Sequence, residues 1–150
     1  MVDSEDDDKE DGQGYFNGVR TKAANDLITW LASDPTQSGD NYYLVMGDMN
    51  SYALEDPITA MKNAGYTNLV SAFIGPDAYT YVFDGQWGTP DYALSNTNMT
   101  RQVTGATVWH INSDESPEFG YRGKWNSTDK CRSSDHDPVI VGLNLSGNAG

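Results

Sequence analysis

Tyr42-Tyr43-Leu44-Val45-Met46-Gly47-Asp48-Met49-Asn50-Ser51 is the stretch on which the reading of this chain turns. Tyr42 to Met46 is a continuous apolar run bounded by turn-forming residues, the pattern of a buried strand. Gly47 then allows close backbone approach. Asp48 offers acceptor oxygens to a water or a metal, and Asn50 an amide donor to an anion. The end of a strand is a rigid support for such groups. Gly, Asp and Asn are also ordinary turn residues, so the motif by itself equally fits strand punctuation.

Upstream of this stretch, Val19, Ala23, Leu27 and Leu31 recur every four residues, and Ala24, Ile28 and Trp30 widen the stripe. That spacing predicts an amphipathic helix. Asn17 stands where it could cap the helix, and Asp34-Pro35 and Ser38-Gly39-Asp40 end it. Downstream, Asp56-Pro57 opens a second helix, with Asp as cap and Pro at the first helical position. Ile58, Met61 and Ala64 share one of its faces, and Gly65 stops it. Strands are expected at Thr80–Phe83, Tyr92–Leu94, Thr104–Ile111 and Val139–Leu145, the last buried on at least one face. Residues 112–134 read as a long polar surface loop, a feature that is usually functional or disordered. The order of elements is that of an α/β fold.

The chain has 150 residues, one domain's length. Its hydrophobic fraction is 37 %, with 15 Gly besides, which is enough for a packed core. It carries 22 acidic and 9 basic side chains, a net charge of −13. Such an excess argues against a simple electrostatic nucleic-acid binder, which needs a basic face. No apolar run approaches the roughly 18 residues of a membrane span, and no basic-then-apolar leader is visible. Seven of the acids lie between Asp3 and Asp11, a segment expected to be solvated and mobile. A calcium site is the sharper reading of that cluster, since clustered carboxylates suit hard cations, although its spacing is not that of an EF-hand loop. The division expected is an acidic segment at 1–14, a domain at 15–146 and a tail at 147–150. Cys131 is single, so it forms no disulfide within this chain; it is an incidental or buried thiol, or it pairs outside the chain.

Two further motifs accompany the first. In Gly88-Thr89-Pro90-Asp91-Tyr92-Ala93-Leu94 an Asp begins a short strand, which also fits turn punctuation. In Ser133-Ser134-Asp135-His136-Asp137-Pro138 a His sits between two carboxylates at a strand entrance. A neighbouring carboxylate fixes an imidazole tautomer and favours its charged form; an Asx-turn before Pro is the plainer alternative. His110, within Trp109-His110-Ile111, reads as strand packing or surface.

Taken in order, Gly-Asp-x-Asn, Asp-Tyr-x-Leu and Ser-Asp-His-x-Pro-Val resemble the C-terminal half of the endonuclease/exonuclease/phosphatase superfamily. Asp11-Gly12-Gln13-Gly14-Tyr15-Phe16-Asn17 with Arg20, Thr107-Val108-Trp109-His110-Ile111-Asn112 and Arg132-Ser133-Ser134-Asp135-His136-Asp137-Pro138-Val139 look like the bacterial extracellular nucleases within it. The resemblance runs from about Asp11 to Leu145. Members of that family have a domain about twice this length. Their upstream half supplies an Asn, a metal-binding Glu and a further His, none of which has a counterpart here. The chain is therefore expected to be the C-terminal half of a catalytic domain, with that upstream half as its partner.

The resemblance implies a four-layer α/β sandwich of mixed sheets flanked by helices. It implies metal-assisted hydrolysis of a phosphodiester or phosphomonoester, with nucleic acid as the leading substrate and Mg²⁺ or Mn²⁺ as cofactor; Ca²⁺ is suggested only by the acidic cluster. Asp48 would position or deprotonate the attacking water and contribute to the metal site, and Asn50 would help hold the water or the phosphate. His136 would donate to a phosphoryl oxygen, and Asp91 would orient His136. Asp135 would sit at the metal and Arg132 at the substrate. Arg20, Lys22, Arg101, Arg122, Lys124 and Lys130 could join Arg132 in a phosphate-contacting face. The protein would be extracellular and not membrane-bound. A phosphatase or phospholipase of the same superfamily is the nearer alternative. A non-catalytic calcium-dependent binding module, suggested by 4 Trp and 9 Tyr, is the more distant one.

Overall fold

The computed structural model describes residues 7–120 and 130–145. Its elements are α1 (Asn17–Ala32), β1 (Leu44–Asp48), α2 (Asp56–Asn63), β2 (Thr67–Asn68), α3 (Leu69–Ile74), β3 (Tyr81–Phe83), β4 (Gln86–Gly88), β5 (Asp91–Ser95), α4 (Thr97–Thr100), β6 (Val103–Val108) and β7 (Val139–Leu143). A 3₁₀ turn occupies Pro117–Phe119. The fold is mixed α/β, and among the described residues every strand pairing is antiparallel. β5 lies between β1 and β2 in a three-stranded sheet, β3 pairs with β4, and β6 pairs with β7. Asp3 to Asp6, Arg122, Lys124 and the tail at 147–150 lie outside the described residues, as does 121–129 of the expected loop. Asp7 to Asp11 are exposed.

The buried strand of this fold is β5. Tyr92, Ala93 and Leu94 have no solvent exposure, and with Leu31, Ile58, Met61 and Tyr66 the two larger ones form the core. Tyr92 is sealed in by a hydrogen bond from its hydroxyl to the Ser51 carbonyl, 2.9 Å. Burial, reinforced by Glu55 and Asp91, pushes its ionisation far up. Full burial of Tyr92 and Leu94 makes β5 the rigid member to which β1 is registered.

Several local expectations need correcting. The run expected to be the buried strand forms β1 two residues later, as an edge strand that pairs with β5 alone, and Met46 is 46 % exposed. A continuous apolar run marks an apolar environment on both faces, and the described residues cover only part of it. On α1 the buried face is Ala24, Leu27, Ile28 and Leu31, whereas Val19 and Trp30 are exposed. β7 is only half-buried on its better-covered side.

Neither expected cap acts as one. Asn17 lies inside α1, whose cap position is Phe16 in the left-handed region (φ 58°), and Asp56 lies inside α2, after Glu55. The two side chains bond each other instead: Asn17 Nδ2 donates to Asp56 Oδ2 at 2.7 Å, tying the two helix starts together. The first-turn N–H of Asp56 goes to the Gln13 side chain, 2.8 Å away, which supplies the missing acceptor. Gly65 does stop α2, in the left-handed conformation (φ 89°) that suits glycine. Four short elements were not expected: β2, α3, β4 and α4. The starts of α3 and α4 are capped by the Asn68 and Asn96 side chains.

Arg20 fastens the chain on either side of β1. Its guanidinium donates to the carbonyls of Gln13, Tyr15 and Asn50, to Ser51 Oγ and to the Glu55 carboxylate. Arg20 and Glu55 are both largely buried, so removing one partner strands the other. Arg20→Ala is therefore expected to cost about 2–4 kcal/mol in urea unfolding. Arg20→Lys should restore less than half of that loss, because an ammonium cannot rebuild the fork.

Candidate active site

The register of β1 against β5 sets Asp48 directly opposite Asp91. Two carboxylates thus meet at one end of the sheet, Asp48 exposed and Asp91 half-buried. His136 joins them from the turn before β7, which is held to β3 by a single bridge between Tyr81 and His136. One ligand atom from each of Asp48, Asp91 and His136 lies within 4.8 Å of the other two. Three motifs 43 and 45 residues apart in the chain therefore converge on one point.

His136 is held on three sides. Its Nδ1 lies 2.8 Å from Asp91 Oδ2. Its ring stacks on Tyr81, centroids 4.5 Å apart with 26° between planes. Its carbonyl accepts from Asn112 Nδ2 at 2.7 Å. A carboxylate at Nδ1 fixes the tautomer and leaves Nε2 for chemistry. Asp91 is itself oriented by the fully buried Thr80, whose Oγ1 donates to the same Oδ2 at 2.6 Å. Thr80 is locked in turn, since its N–H donates to Gly88 and its carbonyl accepts from the Asp137 N–H. Burial, then Asp135, Tyr52 and Asp48, raise the Tyr81 hydroxyl's ionisation, with Arg132 opposing.

Asp48 projects from a turn that its own acceptors organise. Its Oδ1 accepts the Asn50 N–H at 2.7 Å, and its Oδ2 accepts the Asn50 amide at 3.1 Å. Asn50 sits in the left-handed region (φ 45°), which Asn tolerates better than most residues. The Asn50 amide thus serves Asp48 as well as facing outward. Asp135 is exposed and outside the three-residue group. Arg132 is half-buried, and its guanidinium donates to the carbonyls of Asn112 and Ser113, so it braces the loop beside the site. Of the other expected basic residues, Arg20 is engaged as described and Lys22 pairs with Asp26.

Thr80, Tyr81 and Asp137 are the members that sequence reasoning missed. Thr and Tyr in a β-rich stretch carry no signal beyond strand propensity. Asp137 stood in a quoted motif, but its role depends on the chain returning from residue 110. Its Oδ1 accepts the N–H groups of Ile111, Asn112 and Ser113, at 3.1, 2.9 and 2.9 Å. Its Oδ2 accepts from Ser113 Oγ and lies 2.8 Å from His110 Nδ1. Burial pushes this carboxyl up, but the hydrogen bonds from Ser113, His110 and Asn112 outweigh it and hold it below 3.8.

Comparison with family models, with curated proteins and with solved structures returns no match to this chain. Among the described residues no helix is long and apolar enough to cross a membrane.

A carboxyl held lower in the folded than in the unfolded state contributes stability above its ordinary value of 3.8, and that stability disappears as pH falls through the lower folded value. Acid unfolding should steepen below about pH 4. Asp137→Asn should remove that steepening and cost about 2–4 kcal/mol at pH 7, through donors left without a charged acceptor. Urea melts of both proteins across pH 2.5–7 check it; an unchanged acid limb contradicts it.

Proposed function

We propose that this chain carries metal-dependent phosphodiester hydrolysis, with nucleic acid as the substrate. The observation behind this reading is the meeting of Asp48, Asp91 and His136 at one sheet end, with the imidazole already oriented by a carboxylate. The sequence resemblance points the same way and assigns these residues independently of their geometry.

The donor set fits a divalent cation. The two carboxylates, with water completing the set, suit Mg²⁺ or Mn²⁺. Ca²⁺ asks for 6–8 oxygen ligands and fits less well. Asp48 and Asp91 would hold the ion through their oxygens, since His136 Nδ1 is engaged with Asp91. A bound cation would polarise a phosphoryl oxygen and make a water more acidic.

The chain's own residues supply the rest. Asp48, fixed by Asn50, accepts a hydrogen bond from the attacking water and takes its proton as the new P–O bond forms. His136 donates from Nε2 toward the phosphate as negative charge grows, and the leaving oxygen takes a proton from solvent and departs as an alcohol as the old P–O bond breaks. Asp91 keeps the imidazole in place, while Thr80 holds Asp91 and Tyr81 holds the ring.

The four-layer sandwich belongs to the same proposal. Met46, Phe83 and Ile140 stand exposed on strands, which is the surface a second sheet would cover, whereas Val108 is buried. An upstream half bringing a further metal ligand would complete the site, and extracellular action follows the resemblance alone.

The test is cleavage of supercoiled plasmid and of bis(p-nitrophenyl) phosphate with enzyme in excess, so that slow turnover is visible. Cleavage should require Mg²⁺ or Mn²⁺ and stop with a chelator. His136→Ala and Asp48→Ala should each lower it by at least about 100-fold. Cleavage that persists in both variants, or none at all in the parent chain, contradicts the proposal.

A further inference from the structure

His136 enters the site from a turn, and its own backbone is held by side chains. Tyr81 and His136 oppose each other in an isolated antiparallel bridge, and the bond beside them runs from the Asp137 N–H to the Thr80 carbonyl, 2.7 Å. The two opposed residues are thus a non-hydrogen-bonded pair, and the N–H and C=O of His136 point away from β3. The N–H donates to Ser134 Oγ at 3.1 Å, within the turn itself. The carbonyl accepts from Asn112 Nδ2 at 2.7 Å, across 24 positions of the chain.

Asn112 is placed to hold that carbonyl firmly. It is 4 % exposed. Its N–H donates to Asp137 Oδ1 at 2.9 Å, and its carbonyl accepts from the Arg132 guanidinium at 2.8 Å. Arg132 gives its own N–H to the Ile111 carbonyl, 3.2 Å away. The backbone of Asn112 is therefore fixed on both sides. Its Oδ1 is buried with no partner among the described residues, so the one bond of its side chain is the bond to His136. The peptide unit between His136 and Asp137 is gripped at both ends, its oxygen by Asn112 and its N–H by Thr80. One hydrogen bond leaves a peptide plane free to swing about that bond, whereas two at opposite ends do not. The plane helps set the direction in which the His136 side chain leaves the backbone, and so whether Nδ1 reaches Asp91.

We infer that Asn112 is a positioning residue for the reaction, acting through the His136 carbonyl to keep the imidazole on Asp91. The role rests on the phosphodiesterase reading of the Asp48–Asp91–His136 site. A carboxylate only accepts, so the contact with Asp91 selects the tautomer with its proton on Nδ1. Once His136 swings off Asp91 that selection ends, and the ring reverts to the Nε2–H form that a free imidazole prefers. The side chain of Asn112 does not act on the other imidazole: His110 is held by Asp137, which takes the backbone N–H of Asn112.

Asn112→Leu nearly keeps the shape of the side chain, removes the donor and removes the unpaired oxygen with it. The two histidines give two sets of imidazole signals in long-range ¹H–¹⁵N spectra. These are recorded with a chelator at about pH 8.5, roughly two units above the ordinary imidazole value. In the parent chain His136 should show the Nδ1–H pattern. In Asn112→Leu its signals should move to the Nε2–H pattern while those of His110 stay in place. Cleavage of bis(p-nitrophenyl) phosphate with Mn²⁺ should fall by about ten- to a hundredfold. Asn112→Ala, which adds no bulk, should behave in the same way, and thermal melts establish which variants are folded. An unchanged His136 pattern in a folded variant overturns the role of Asn112. Equal movement of His110 also overturns it, since that marks loss of the whole loop, and so does failure of both variants to fold. Movement of His136 alone, in a parent chain that cleaves nothing, overturns the phosphodiesterase reading and leaves the grip of Asn112 on the imidazole standing.

Discussion

Two distant segments of this chain meet on the carboxylate of Asp91, and a third is registered against its backbone. Oδ2 alone receives Thr80 Oγ1 at 2.6 Å and His136 Nδ1 at 2.8 Å, while the backbone of Asp91 is registered against Asp48. Without that acceptor the turn before β7 would be tied to this side of the hairpin only by the Tyr81–His136 bridge and ring stack and by the Asp137 N–H on the Thr80 carbonyl, among the described residues. Such concentration is physically reasonable because Asp91 begins the most deeply buried strand. Tyr92, Ala93 and Leu94 hold β5 still, and a half-buried carboxylate on a still strand can orient an imidazole more precisely than one on a loop.

From that point the acidity of the protein takes on a different meaning. A chain with a net charge of −13 is poorly suited to hold a polyanion by broad attraction. Arg20 and Arg132 do not remedy this, because both are engaged with backbone carbonyls near the site. Under the proposed function, affinity for phosphate would come from specific donors and a bound cation. The two imidazoles are each anchored through Nδ1 by a carboxylate and each stacked on a tyrosine. Aspartate here acts as scaffold for donors, with Asp137 organising the backbone at 111–113 and Asp91 organising His136.

The sequence made some of this legible and hid the rest for identifiable reasons. Asp48, Asp91 and His136 were readable because each stands at a strand end in a short ordered motif. The mutual reach of Asp91 and His136, expected from those motifs, is present. β1 was placed nearly correctly but mistaken for an interior strand, since apolar composition reports what a segment needs and not what covers it. The caps at Asn17 and Asp56 failed because the side chains found each other across 39 residues, a contact no local rule contains. Thr80 and Tyr81 stayed hidden for the same reason: their importance comes from what packs on them. His110 was read as packing or surface, and its pairing with Asp137 across 27 positions was invisible before the chain was folded.

Whether Asp48, Asp91 and His136 act together around a divalent cation is decided most directly by the two imidazole signals during a Mn²⁺ titration. The paramagnetic ion broadens nuclei near it. The His136 resonances should broaden first, at substoichiometric Mn²⁺, and Asp48→Asn should abolish that early broadening. Residues 3–11, with their seven carboxylates, offer the competing site. Broadening confined to that segment while His136 stays sharp would contradict a metal centre at the sheet end.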